Sequence, residues 1–150
     1  MRLTEIDLQI QNTIWFGVDK NGYIFICISE VMARIPEFVC KSKEETNLLK
    51  KYFFEILGID SKKDFDNDLI LSQKGLFCFH GIVESIPKDE DFDTHPYWYR
   101  KSKEFSPKSP LHFDQLPKNI QEIMDSHRVD VDVFHDVYMN VEHAYKEFSE

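Results

Sequence analysis

Cys78 and His80 are the residues whose types and spacing most resemble chemistry. They stand two apart in the apolar run LFCFHGIVE, Leu76 to Glu84. If that run is a strand, side chains at i and i+2 share a face. A thiol and an imidazole on one face offer two zinc ligands, or a nucleophile near a base. Zinc takes three or four protein ligands, however, and no second close Cys or His pair exists. His95, His112, His127, His135 and His143 are scattered, and no HExxH is present. Neighbours on one strand face also tend to diverge, so the expectation is a packed Cys beside a hydrogen-bonded His, with no metal ligand. DFDNDLILSQKG, from Asp64 to Gly75, opens like a calcium loop. An EF-hand requires Gly at its sixth position and a bidentate Glu at its twelfth. Leu69 and Gly75 stand there instead, which leaves a solvated acidic loop. GxSxG, Walker and GxGxxG patterns are all absent. No catalytic residue and no cofactor are expected. The alternative is a small metal- or thiol-dependent hydrolase using Cys78 and His80 with a distant carboxylate.

Recognition is better served. KDEDFD, from Lys88 to Asp93, sets Asp89, Glu90, Asp91 and Asp93 around Phe92, just before Tyr97, Trp98 and Tyr99. Aromatic anchors concentrate binding energy, while nearby carboxylates steer a basic partner and set its orientation. The candidate partner-binding residues are therefore Asp89, Glu90, Asp91, Phe92, Asp93 and Trp98. Global charge agrees: 27 Asp and Glu against 18 Lys and Arg give a formal net charge of -9. Nucleic-acid affinity comes largely from counterions released as Lys and Arg meet phosphates, so this chain is poorly suited to nucleic acid or anionic membranes. A basic protein, such as a toxin or nuclease domain, is the partner that the charge favours.

Several elements must position these residues. In TIWFGVDKNGYIFICIS, Thr13 to Val18 and Tyr23 to Ser29 are β-branched and aromatic, with Asn21-Gly22 between them. Asn-Gly suits a two-residue type I′ turn, which would pair Val18 with Phe25 and Phe16 with Cys27. Trp15, Ile24, Ile26 and Ile28 would then share the opposite face. Both faces are apolar, so the hairpin should be covered on both sides. Ser42 and Glu45 form a capping box, and Leu49, Tyr52, Phe53, Ile56 and Leu57 recur at helical spacing before Gly58. The pattern predicts a helix over 43–57. Leu69 to Leu71 reads as loop with a short strand at most. The segment 95–105 reads as a strand, and Pro117 opens a second helix whose stripe is Leu116, Ile120, Ile123 and Met124. Val129, Val131 and Val133 alternate with aspartates as in a strand with one wet face, and the segment from Val137 to Phe148 reads as a terminal helix. Ile6, Leu8 and Ile10 suggest a short entry strand.

A length of 150 residues suits one α+β domain, 1–150: a mostly antiparallel sheet with an N-terminal β-hairpin, packed by two to three helices. Three cysteines (Cys27, Cys40 and Cys78) fit no disulfide framework. MRLTEIDLQIQ lacks the apolar core of a signal peptide, and no run is long enough to cross a bilayer. Cytoplasmic localisation is the expectation.

WFGVDKNGYIFICISE followed by IPEFV, together with YRKSKEFSPKSPLHFDQLPKNI, resembles a group of small bacterial proteins. In these an aromatic strand, an Asp/Asn/Gly turn and a second strand lead into a proline segment, and Leu-Pro heads a later helix. Some are encoded beside polymorphic or contact-dependent toxins and are thought to serve as immunity proteins. The resemblance implies a non-enzymatic inhibitor that occludes a cognate toxin. It carries over no functional residue, because its landmarks are turns, strands and a helix start. This chain also departs from the usual pattern by placing Phe, Ile and Cys where small apolar residues are expected. A structural subunit of a larger assembly is a further alternative.

Overall fold

In the computed structural model, Ile14–Val18 (β1) and Ile24–Ile28 (β2) pair antiparallel, and every residue of both strands is buried. The structure describes residues 2–3, 13–29, 34–58, 67–82, 97–103 and 105–144. Phe77–Gly81 (β3) lies parallel to β2, Trp98–Lys101 (β4) antiparallel to β3, and Tyr138–Asn140 (β5) antiparallel to β4. The sheet is mixed, in the order β1-β2-β3-β4-β5, and three of its four pairings are antiparallel. The expected α+β class holds, and the parallel β2–β3 contact follows from the helical crossover between those strands. Four α-helices occur among the described residues: Glu37–Cys40 (α1), Lys43–Leu57 (α2), Asp68–Gln73 (α3) and Lys118–Met124 (α4). That exceeds the two or three expected because two short ones, α1 and α3, carry little periodicity.

Both sheet faces are covered, as the two-sided apolar hairpin required. Leu49 and Phe53 of α2, Leu71 of α3 and Ile120 and Met124 of α4 pack on Phe16, Val18, Ile24, Ile26 and Ile28. On the other face Trp15, Phe25, Phe77, Phe79 and Tyr99 meet α1 and the valines 129, 131 and 133. Large rings dominate the second layer, each removing extensive apolar area from water, while the first is mainly aliphatic around Phe16 and Phe53. The Trp15 indole donates to the Tyr99 hydroxyl at 3.1 Å, and that hydroxyl donates to the Arg34 carbonyl at 2.9 Å, so the buried polar tips of both rings are used.

The hairpin register differs by one residue from the expected one. Val18 pairs with Ile24 and Trp15 with Cys27, so Trp15 shares its face with Phe25, opposite the isoleucines. The cause is Asp19. Its Oδ1 accepts the Asn21 and Tyr23 amides, each at 2.9 Å, and the Gly22 amide returns to the Asp19 carbonyl at 3.1 Å. This carboxylate-anchored turn is one residue wider, and Gly22 takes the positive φ of 93° that it demands.

The helix over 43–57 forms as expected, with Ser42 Oγ accepting the Glu45 amide at 3.1 Å and Gly58 closing it. Other segments depart from expectation. Residues 68–73 are helical because Asn67 caps them through the Ile70 amide, a signal hidden among the aspartates. Residues 129–133 are not a strand, although their alternation correctly reports the faces: Val129, Val131 and Val133 are buried and Asp130 is exposed. The expected terminal helix is replaced over its described part by β5 and a 3-10 turn, Glu142–Ala144, since Tyr138 and Asn140 pair with Arg100 and Trp98. The suggested entry strand at Ile6 to Ile10 and the end of the terminal segment, from Tyr145, lie outside the described residues.

Candidate functional site

Two regions can do chemistry or recognition: one on the central strand β3, the other at the β4–β5 edge of the sheet. The first forms where β3 leaves the turn after α3. That helix ends in a tight reversal: the Gly75 amide donates to the Ser72 carbonyl at 3.0 Å and the Leu76 amide to Leu71 at 3.1 Å, with Gly75 at φ 93°. This pairing is the Schellman closure, and it folds the chain back on itself. The first turn of α3 thereby comes to rest against the strand that follows it. Asp68 is brought over Cys78 and His80, whose side chains share one face of β3 as the strand period requires.

The polar atoms of the three residues converge. His80 Nε2 lies 2.9 Å from Asp68 Oδ1 and 3.1 Å from Oδ2. Cys78 Sγ donates to Asp68 Oδ1 at 3.1 Å and stands 3.6 Å from His80 Nε2. Among the described residues this is the one group of three potential metal ligands whose donor atoms all lie within 4.8 Å of one another. Cys78 is buried, while the His80 and Asp68 side chains keep 28% and 18% of their surface, so the cluster has a dry floor and a wet rim. Burial alone would raise the Asp68 pKa, but hydrogen bonds from His80 and Cys78 outweigh it and hold the carboxyl below its ordinary value. Arg100 pairs with His80 across the β3–β4 ladder, and the Ser102 amide donates to the Cys78 carbonyl at 2.8 Å. A catalytic relay puts the acid on one imidazole nitrogen and the nucleophile on the other. Here Asp68 and Cys78 both face Nε2, an arrangement suited to ligation rather than relay.

The second region is an open groove of about 690 Å³ along β5, lined by Trp98, Tyr138, Asn140, Asp130, Asp136, Glu142 and their neighbours. Trp98 is half-buried and meets Tyr138 edge-on at 6.4 Å. Among the described residues, three carboxylates line the groove and no Lys or Arg does. The Lys101 ammonium donates to the Val133 carbonyl at 2.6 Å. Burial lowers its pKa against the opposing pull of Asp132 and Asp136. The loop bearing Asp130 and Asp136 is pinned from within by the fully buried Asp19, whose Oδ2 accepts the Val133 amide at 3.0 Å.

Of the residues singled out in the sequence, Trp98 lies in this groove, whereas Asp89, Glu90, Asp91, Phe92 and Asp93 lie outside the described residues. Cys78 and His80 come together as their spacing allows, and do not diverge. Asp68 was missed, hidden in an acidic stretch as one aspartate among several; the Asn67 helix start was the signal that could have found it. Asp130, Asp136 and Glu142 were missed as a group because the fold, not proximity in the chain, assembles them. The chain matches no protein-family model, no curated protein and no solved structure. No helix among the described residues is long and apolar enough to cross a membrane.

Proposed function

We propose that this protein works by binding, without bond-making of its own, and that its partner is a basic protein held at the Trp98 groove. The observation that carries the reading is the groove itself: an aromatic pair ringed by Asp130, Asp136 and Glu142, with no Lys or Arg among the described lining residues. Such an arrangement attracts a positively charged surface at long range and gives it an aromatic anchor on contact. The formal net charge of -9 extends the same field over the whole molecule. The acidic segment Asp89 to Asp93 precedes Trp98 closely in the chain and adds four carboxylates to the overall negative charge. In its most specific form the role is that of a cytoplasmic immunity protein that covers the active site of a toxin or nuclease domain, in line with the motifs of the hairpin and the Leu116-Pro117 helix start.

The test pairs the chain with the product of the gene adjacent to its own and measures affinity at two ionic strengths. A 1:1 complex that weakens with salt, and is lost in the triple variant Asp130→Asn, Asp136→Asn, Glu142→Gln, is the expected result. A complex with unchanged affinity in that variant would remove the groove from the account.

A further inference from the structure

The cluster at the foot of β3 plays no part in that binding reading, and its geometry speaks for itself. We infer that Asp68, Cys78 and His80 form a site for a single Zn²⁺ ion, bound by one carboxylate oxygen, the Cys78 thiolate and His80 Nε2, with a fourth position open to water.

The first argument is distance. Zinc bonds of about 2.3 Å to sulfur and about 2.0–2.1 Å to nitrogen and oxygen, arranged tetrahedrally, place the ligand atoms about 3.3–3.6 Å apart. The three separations here are 3.6, 3.1 and 2.9 Å. An ion therefore fits between the donors if Asp68 withdraws by a few tenths of an ångström. Asp68 has that freedom, because its side chain leaves the first turn of α3 at the wet rim.

The second argument is chemistry. Sulfur, imidazole nitrogen and carboxylate oxygen together form a borderline-soft donor set, which suits zinc and discriminates against calcium and magnesium. The Ser102 amide donates to the Cys78 carbonyl at 2.8 Å, a neighbouring contact that fixes the ligand-bearing strand in place. Convergence on one nitrogen is also what an ion requires, since ligand atoms must point at a common centre. Binding releases the Cys78 thiol proton to solvent, while neutral His80 ligates through a bare Nε2 with its ring proton on Nδ1, so affinity rises with pH. The ion would clip α3 to β3, and three protein ligands with the rim exposed leave one coordination place for water.

The experiment titrates metal-free protein with Zn²⁺ against a chromophoric chelator, and with Co²⁺ followed by absorption. The expected result is one equivalent of tightly bound zinc, a tetrahedral cobalt spectrum with a thiolate charge-transfer band, and a Tm higher by about 5 °C or more at a hundredfold excess over Kd. His80→Ala and Asp68→Asn, both at the partly exposed rim, should each lower zinc affinity at least tenfold while the far-ultraviolet circular dichroism is unchanged. Cys78→Ser should remove the charge-transfer band, and Cys40→Ser should leave it. Because Cys78 is buried, its variant could fail to fold; the cobalt band of the wild-type chain then decides alone. Failure of the folded wild-type chain to retain zinc at micromolar concentration would overturn the inference, as would zinc affinity unchanged in His80→Ala and Asp68→Asn together. Either failure leaves the groove reading untouched.

Discussion

The cluster at β3 and the groove at β5 both use aspartate, yet they are organised on opposite principles. At β3 one carboxylate, one thiol and one imidazole bring their polar atoms within 3.6 Å of one another, on two elements joined by a tight Schellman turn. At β5 three carboxylates line an open surface, contributed by a loop and a 3-10 turn around an aromatic pair. Ligation is a short-range interaction that fails when a donor moves by an ångström, so its residues sit on rigid neighbours. Steering acts over the screening length, about 8 Å at physiological salt, and needs only the right sign of charge in the right region. The lesson is that the same residue type, Asp, suits ligation where the backbone forces convergence and charge steering where it does not.

The largest expected effect breaks the groove and spares the cluster. Asp19 is fully buried and accepts three amides, those of Asn21, Tyr23 and Val133. Asp19→Ala strands these donors and should cost about 3–5 kcal/mol in urea unfolding. Its Val133 contact anchors the loop of Asp130 and Asp136, so partner binding should fall further than zinc binding in the folded fraction.

Acid separates the regions by pH. His127 is buried, donates through Nδ1 to the Phe16 carbonyl at 2.9 Å, and has its pKa lowered by burial from 6.5 to about 4. The unfolded chain therefore binds the extra proton first, and stability falls as pH drops from 6.5 towards 4. The loss is on the order of 3 kcal/mol and is complete below that window. Asp68 is also held low, so its contribution is present above the unfolded value of 3.8 and is lost only as pH falls through its lower folded pKa. Unfolding free energy measured from pH 7 to 4 should slope for the wild-type chain and flatten for His127→Gln.

Smaller effects sharpen the contrast. Trp98→Ala should weaken the partner complex about 30-fold, equivalent to about 2 kcal/mol, with little change in Tm. Asp68→Asn should cost about 1 kcal/mol of stability at pH 7 and leave partner affinity unchanged, as isothermal titration would show.

Much of the fold was legible because its signals are local. The Ser42 cap, the stripe through Leu49 and Phe53 and the Pro117 helix start each lie within a few residues of what they specify. The two-sided apolar hairpin announced burial on both faces. The register was misread because Asn21-Gly22 looks like a two-residue turn until Asp19 reaches across it, and Asp19 looks like a surface acid until Val133 arrives from the far end of the chain. The same holds for the sites. Cys78 and His80 were visible from strand periodicity, and Trp98 from its aromatic company. Asp68 required knowing that residues 68–73 coil, and the carboxylates of the groove required knowing that Tyr138–Asn140 extends beside β4. Tertiary pairing overrode local preference at Tyr138–Asn140, whereas the helix over 68–73 rests on the local Asn67 cap.

The measurement that reaches the central claim most directly is the salt dependence of binding between this chain and the product of its adjacent gene, with wild type and the Asp130→Asn, Asp136→Asn, Glu142→Gln variant side by side. A wild-type affinity that drops steeply as salt rises, beside a variant that binds weakly at every ionic strength, is the predicted outcome. Absence of any complex, or equal affinities with parallel salt dependence, would contradict it.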